Sequence, residues 1–565
     1  MNRLHAFLSH RRVAYFSMEI ALASDIPTYS GGLGVLAGDT LRSAADLCIP
    51  LVGVTLVSRQ GYFRQEIAPD GRQIEHPDPW DPAASSSPLP AKVSVEIAGH
   101  EVWIAGWLHV VVGVTGTRVP VVLLDTDLPE NGEQDRRITD YLYGGDSAYR
   151  LRQEIVLGIG GVRMLEALGF DIRAFHLNEG HSALLTLQLL RRCAYDDEDL
   201  RPGETPYDIP RVREMCHFTT HTPVEAGHDR FPYELVQRLL GDFIDRETMR
   251  RLAGANEFNN TRLALNLSEY INGVAKSHAE TSRKLFPGYR VCAVTNGIHP
   301  HTWAAPSLAR LYDEHLPGWC LEPELLMRAD ALLTDEEIQR CHMDAKLTLI
   351  EAIRAQCGVE FDPALPIIGY ARRMTPYKRP ELFFADIERL VSIHAGHPFQ
   401  VVFAGKAHPQ DAGGKRAIEV LNRHIRDLSG TIAMAFLPNY TMATALSLVA
   451  GSDVWLNTPQ TPLEASGTSG MKAALNGVPN LSILDGWWAE GHLEGVTGWA
   501  IGGPGDSTTA GDAARLYDKL EHIVLPLFAD ASGWARVMKG AIARNASLFH
   551  SHRMMRRYAA EAYLR

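Results

Sequence analysis

The stretch Glu464-Ala-Ser-Gly-Thr-Ser-Gly-Met-Lys472 lies between the apolar run Ser452-Asp-Val-Trp-Leu456 and the segment Ala473-Ala-Leu-Asn476. The run before it reads as a buried strand and the segment after it as helix, so Ser466 to Gly470 is expected to be a small-residue turn opening a helix. Backbone N–H groups at a helix N-terminus are unpaired donors, and glycines let an anion approach them. Lys472 falls just inside that helix. Lysine is the side chain that forms Schiff bases, so a phosphate cradle beside it points to a phosphorylated aldehyde such as pyridoxal phosphate. Read alone, the same residues also describe a solvated helix lysine behind a flexible loop, the commoner outcome for a Gly/Ser turn.

The composition limits what surrounds this stretch. A chain of 565 residues exceeds one ordinary core and implies two or more domains, and 45% hydrophobic with 22% charged residues describes a globular protein. The net charge of -12 argues against nucleic acid as a partner. Any anion site must therefore come from a local cluster of cations and backbone N–H groups. Seven scattered cysteines without a close CxxC pair read as buried thiols in a reducing compartment and give no support for a zinc site. No apolar run reaches about 18 residues, so a membrane partner is not expected and a cytoplasmic enzyme is.

Working outward, the strand-turn-helix plan recurs. Val13 to Met18 reads as strand, Tyr29-Ser-Gly-Gly-Leu-Gly34 as a glycine turn, and Val35 to Leu47 as helix. β-rich sequence covers Val93 to Ile97, Val102 to Trp107 and Val119 to Leu124, and a helix is expected from Arg150 to Leu168. Ala174 to Leu177 is a strand feeding Asn178-Glu-Gly-His181, and Met215 to Thr220 another feeding His221-Thr-Pro-Val-Glu-Ala226. His221, Glu225 and His228 do not form a recognisable metal-ligand spacing, and no metal is expected. In the second half, Pro366 to Tyr370 is a strand leading to Ala371-Arg-Arg-Met-Thr-Pro-Tyr-Lys-Arg-Pro380. Four cations so close together, interleaved with apolar residues behind a strand, point to phosphate recognition: Arg suits bidentate contact and Lys a point charge. Strands Phe399 to Ala404, Met434 to Leu437, Val454 to Leu456 and Pro479 to Leu484 continue the plan, and Trp534 to Leu564 reads as helices.

These segments, taken in order from about Val13 to Glu490, resemble the α-glucan (glycogen, starch and maltodextrin) phosphorylases, in particular the bacterial short type. Their lysine segment follows Glu-Ala-Ser-Gly-Thr at the distance seen for Lys472. Two-domain transferases that use nucleotide sugars commonly place a second carboxylate where Lys472 stands, and an amine cannot accept ribose hydrogen bonds.

The resemblance implies an α/β fold of the GT-B type. Two doubly wound, Rossmann-like domains (1–300 and 301–565) would face each other across a cleft, with a hinge near residue 300 and the last helix crossing back. It implies reversible phosphorolysis of α-1,4-glucans with inorganic phosphate, releasing α-D-glucose 1-phosphate. Pyridoxal 5′-phosphate would be held as a Schiff base on Lys472, its phosphate serving in acid/base exchange. By the same match, Thr468, Ser469, Gly470, Lys378, Arg372 and Tyr440 hold the cofactor, and Arg373 binds substrate phosphate with the backbone of Gly31, Gly32 and Leu33. Glu464, His181 and Asn296 contact the sugar. Thr375 stands where the family usually has histidine. A homodimer is possible. The alternatives are a nucleotide-sugar glucan synthase of the same fold and a non-catalytic glucan-binding relative.

Overall fold

Val13–Ser17 (β1) is apolar almost throughout and buried at every position, as a strand covered by helices on both faces must be. In the computed structural model, which describes residues 7–8, 12–196, 198, 200, 204–224, 227–502 and 508–564, β1 lies inside a nine-stranded sheet. Its other strands are Leu51–Leu56 (β2), Ser87–Ile97 (β3), His100–Val112 (β4), Arg118–Asp125 (β5), Ala174–Asn178 (β6), Cys216–Thr219 (β7), Tyr270–Gly273 (β8) and Cys292–Ala293 (β9). The order is β9-β8-β7-β6-β1-β2-β5-β4-β3. The run from β9 to β5 is parallel, whereas β4 and β3 continue the sheet antiparallel. The first sheet is thus mixed rather than purely doubly wound. Burial alternates along much of β4, while β1 and β2 are buried throughout, the difference expected between a hairpin with one open face and strands covered on both sides.

The second sheet contains Ile367–Ala371 (β10), Gln400–Ala404 (β11), Met434–Leu437 (β12), Val454–Asn457 (β13), Asn480–Ser482 (β14) and Gly498–Ala500 (β15). All its pairings are parallel, in the order β12-β11-β10-β13-β14-β15. Counted from its own first strand this is 3-2-1-4-5-6, the doubly wound order in which ligands lie beyond the strand carboxyl ends where the winding reverses. That point falls between β10 and β13. In the first sheet the corresponding reversal falls between β1 and β6.

One hydrophobic core spans Phe7 to Val291, and another runs from Ile298 to Phe549, joined by Ala21 and Val35. The helix expected over Arg150 to Leu168 is three pieces, Ser147–Ile155, Val156–Gly160 and Gly161–Ala167, the middle one wound with a wider π turn. Gly158 there lies against the next helix so closely that a Cβ would be 2.5 Å from the Leu185 nitrogen.

Gly32–Asp46 (α1) follows β1, Ser469–Leu475 (α2) follows β13, and Ser551–Tyr558 (α3) is the last α-helix. It crosses back to the first sheet: Ser551 Oγ meets Ser43 Oγ of α1 at 2.6 Å, and Tyr558 OH lies 3.3 Å from Thr219 Oγ1. Beyond it, Tyr563 OH is 2.6 Å from His176 Nδ1. All seven cysteines are free, but only Cys216 and Cys341 are buried and Cys48 is exposed, so burial of every thiol does not hold. Among the described residues, no helix is long and apolar enough to cross a membrane.

Candidate active site

On the second-sheet side, β10 ends at Ala371 and delivers Arg372 into the interior. Arg372 Nη2 donates to Glu464 Oε2 at 2.6 Å, and Lys378 Nζ donates to the same oxygen. Glu464 arrives from the segment after β13, so the winding reversal brings these groups together across 92 residues. Burial pushes the Glu464 carboxyl upward, but Arg372 and Lys378 outweigh it and hold the pKa at about 2. The Glu464 backbone N–H donates to Asp485 Oδ2 at 2.9 Å, and Asp485 is itself pushed up to about 6, chiefly by burial. Two cations thus face one ionised carboxylate. Among the described residues, the guanidinium Nη1 of Arg372 is buried without a partner, as are Thr375 Oγ1 and Ser466 Oγ. Gly405, at φ 146, approaches so closely that a Cβ would sit 1.9 Å from the Arg372 carbonyl oxygen, which fixes the backbone that aims Arg372.

Arg373 is exposed and makes no hydrogen bond or ion pair among the described residues, yet its charge is felt by Tyr62, Tyr143 and His408. Lys472 is the opposite case. Its side chain is buried in α2, its Nζ lies 3.7 Å from the centre of the Trp303 ring, and it has no hydrogen-bond partner among the described residues. Burial lowers its pKa from 10.5 to about 8, because desolvation disfavours the ammonium form. Trp303 is anchored by its Nε1–H to Asp39 Oδ2 at 2.8 Å. Thr468 caps α2 without a side-chain hydrogen bond, and Ser469 Oγ accepts from Trp455 Nε1. At Gly470 a Cβ would be 2.3 Å from Asn480 Oδ1. Tyr440 is half-buried, and the Arg372 charge is felt at its hydroxyl.

On the first-sheet side, the residue that organises the glycine turn is Glu19, just past β1. Its Oε2 accepts from Ser30 N at 2.6 Å, Ser30 Oγ at 3.1 Å and Gly31 N at 3.2 Å, while Tyr143 OH donates to Oε1. The Gly31 amide is therefore committed to Glu19 and is not free for an anion. Gly32 and Leu33 open α1, whose first-turn N–H groups have no helical partner. A Cβ at Gly31 or Gly32 would meet nothing within 4 Å among the described residues, so nothing described there crowds this turn.

His181 lies in the short turn after β6, with its ring centre 5.4 Å from that of Tyr143 and its Nε2 3.4 Å from Asp229 Oδ2. Burial lowers its pKa, and its Nδ1 is buried without a partner among the described residues. The Glu179 carboxylate accepts from Gly180 N, His221 N and Thr222 Oγ1, fixing the turn that carries His181. Asn296 is buried with Oδ1 unpartnered among the described residues, while Arg553 Nη2 donates to its carbonyl.

Tyr143 gathers the two sides: it bonds Glu19, stands beside His181, feels the Arg373 charge, and its carbonyl is 3.4 Å from His408 Nε2. Tyr29 OH accepts from Met442 N at 3.0 Å, and Lys406 Nζ donates to the Phe63 carbonyl at 2.8 Å. Segments that follow strands of the two sheets are therefore in contact.

Sequence reasoning missed Glu19, Tyr143, Trp303 and Asp485. For Glu19 the signal was available, an acidic residue directly after a wholly buried strand; for the others no local pattern exists. His221 bonds Asn178 and His228 bonds Thr261, while Glu225 lies outside the described residues. The structure also joins Asp46, His299 and His552, all buried, with possible ligand atoms within 4.8 Å of one another. His299 Nε2 lies 2.7 Å from Asp46 Oδ2, so this trio ties α1, the segment near residue 300 and α3 together.

The winding reversals of the two sheets carry a cation cluster and a glycine turn, which makes this an α/β protein with candidate ligand sites at its switch points, and the comparisons give the family. Residues 243–491 match the model described as carbohydrate phosphorylase. The chain is 38% identical to the maltodextrin phosphorylase of Thermococcus litoralis, over 98% of this chain and 70% of that protein. It is 36% identical to the glycogen phosphorylase of Aquifex aeolicus, over 98% and 86%. An uncharacterized protein of Methanocaldococcus jannaschii is 31% identical over 97% and 99%. The chain belongs to the carbohydrate phosphorylase family.

Proposed function

We propose that this protein catalyses reversible phosphorolysis of α-1,4-glucans, transferring the terminal glucosyl unit to inorganic phosphate as α-D-glucose 1-phosphate. The observation that carries this reading is the buried pair of cations, Arg372 and Lys378, sharing a single carboxylate oxygen while Arg372 Nη1 has no partner among the described residues. A buried, incompletely matched positive charge is costly unless an anion completes it. We further propose the GT-B arrangement, with domains 1–300 and 301–565 hinged near residue 300 and a cleft between the sheets. The setting proposed is the cytoplasm.

The donor set fits pyridoxal 5′-phosphate. Lys472 is a buried amine without a hydrogen bond, its pKa lowered to about 8, which suits it to hold an aldehyde. Thr468, Ser469 and Gly470 with Lys378 and Arg372 would hold the phosphate, and Tyr440 would lie near the ring. When bound, the group supplies a phosphate whose second pKa of about 6 suits proton exchange with substrate phosphate at working pH.

Arg373, unpaired and exposed, is free to bind the incoming phosphate together with the N–H groups of Gly32 and Leu33. Glu464 is held ionised, and both its cation contacts fall on Oε2; Oε1, with no hydrogen bond among the described residues, would accept from a sugar hydroxyl. His181 Nδ1 and Asn296 Oδ1, buried without partners among the described residues, would do the same for other hydroxyls. Incubation with maltodextrin and inorganic phosphate should release glucose 1-phosphate, with UDP-glucose and ADP-glucose inert. Efficient transfer from either nucleotide sugar would instead establish a synthase, and inertness toward all three a binding protein.

A further inference from the structure

Asp46 closes α1 with a carboxylate that is fully enclosed, and two buried imidazoles converge on it: His299 from the segment near residue 300 and His552 from α3. Its Oδ1 accepts from Val114 N at 2.7 Å, and its Oδ2 lies 2.7 Å from His299 Nε2 and 3.4 Å from His552 Nε2. Among the described residues no lysine or arginine pairs with this carboxylate. Burial lowers the His299 pKa, so that ring is neutral. A buried carboxylate is costly unless a cation or a metal ion completes it. An orphaned atom points the same way. His552 Nε2 is enclosed beside Oδ2 and makes no hydrogen bond among the described residues.

The three candidate ligand atoms all lie within 4.8 Å of one another. Two imidazole nitrogens and a carboxylate oxygen are a donor set for zinc, and with bonds of about 2.1 Å a tetrahedral site spaces its ligand atoms about 3.4 Å apart. The His552 contact already has that spacing, and His299 would withdraw from Oδ2 by about 0.7 Å. The outer nitrogens have acceptors: His552 Nδ1 lies 3.3 Å from Ser43 Oγ, and His299 Nδ1 lies 2.7 Å from Thr302 Oγ1. Such outer partners fix the tautomer of ligating histidines. The His299 proton directed at Asp46 would move to Nδ1 and be accepted by Thr302 Oγ1. The contact given up is the helix-capping one from Thr302 N at 3.2 Å. Residue spacing along the chain does not reveal this set, because His299 is 253 residues from Asp46 and His552 lies further still.

We propose that Asp46, His299 and His552 bind one zinc ion, a structural site that pins α1, the residue-300 segment and α3 to one another whatever the reaction in the cleft. Three protein ligands leave the fourth position to water. The ion would be acquired as the chain folds, since all three side chains are closed off from solvent. The test is the metal content of the intact holoprotein, purified without chelator from cells supplied with zinc, by plasma mass spectrometry: about one zinc per chain is expected. Protein produced with cobalt should show the visible ligand-field absorption of a tetrahedral nitrogen and oxygen site. Refolding with zinc should give a higher melting temperature than refolding with chelator, whereas magnesium, which prefers oxygen ligands, should give no increase. His552→Gln should lose the zinc and the zinc-dependent gain in melting temperature, and Asp46→Asn should do the same. Wild-type protein that holds no stoichiometric zinc and melts at the same temperature with zinc as with chelator overturns the site and leaves a metal-free hydrogen-bonded trio. Full zinc content in a folded His552→Gln variant overturns it as well, because the ion would then be held elsewhere.

Discussion

The two switch points are built on the same principle and furnished oppositely. At the β10/β13 reversal the side chains are charged and mutually committed: Arg372 and Lys378 on Glu464, with the unpaired amine of Lys472 in the helix that follows. At the β1/β6 reversal the carboxylates of Glu19 and Glu179 are turned inward to hold the loops, leaving backbone N–H groups and an imidazole whose pKa is lowered by burial. The contrast separates two tasks. On the proposed reading, permanent positive charge would offset phosphate repulsion on one side, while on the other fixed hydrogen-bonding geometry would orient the sugar and, through Gly32 and Leu33, help hold phosphate.

The largest effect should come from removing the amine proposed to hold the cofactor. Lys472→Ala should abolish cofactor retention and essentially all phosphorolysis. Borohydride treatment of the wild type should fix a pyridoxyl group that peptide mass spectrometry maps to Lys472. Full activity in the lysine-free variant would break the comparison at its root.

Glu464→Gln should be next, because it leaves two buried cations without a counter-charge. Removing one partner of a buried pair costs about 3–5 kcal/mol of stability, and inorganic phosphate should recover part of it in thermal unfolding. Glu19→Gln, by contrast, keeps an acceptor behind the glycine turn and should lower the melting temperature less. Equal losses would mean that the two sides are not electrostatically different.

Arg373→Ala tests the mouth of the site. Loss of one charge-assisted contact should weaken phosphate use by about 1.5–3 kcal/mol, seen as a raised KM for phosphate. The melting temperature should not change, since the side chain is exposed and unpaired.

The smallest effects are those of pH, and they differ in sign. Glu464 is depressed from 4.5 to about 2, so its stabilisation is fully present above the unfolded value and is lost as pH falls through about 2. Asp485 is raised from 3.8 to about 6, so its contribution is present below the unfolded value and is lost as pH rises through about 6. Stability of Asp485→Asn relative to wild type should therefore change between pH 4 and 6, measured by denaturant unfolding. For Lys472, depressed to about 8, the rate at which cofactor-free protein takes up pyridoxal 5′-phosphate should rise about tenfold from pH 7 to 9 as the neutral amine forms.

Local chemistry in the sequence was enough to locate the strand, small-residue turn and lysine of the 454–475 region, the cations from Arg372 to Arg379, and the glycine turn before α1. Each depends on residues within one strand-turn-helix unit, where hydrophobic patterning and backbone propensity act over a few positions. The direction of β3 and β4 was not legible in this way, because alternating apolar runs are compatible with either pairing. Nor was the fate of the Gly31 amide: Glu19 lies twelve residues away, and only the fold turns its carboxylate under the loop. The partnership of Arg372 with Glu464, the burial that brings the Lys472 amine toward neutrality, and the contact of Tyr563 with His176 across 387 residues were decided by tertiary structure alone. The physical reason is that charge pairing and desolvation depend on which strands become neighbours and how deeply they are buried, quantities that no window of the chain contains.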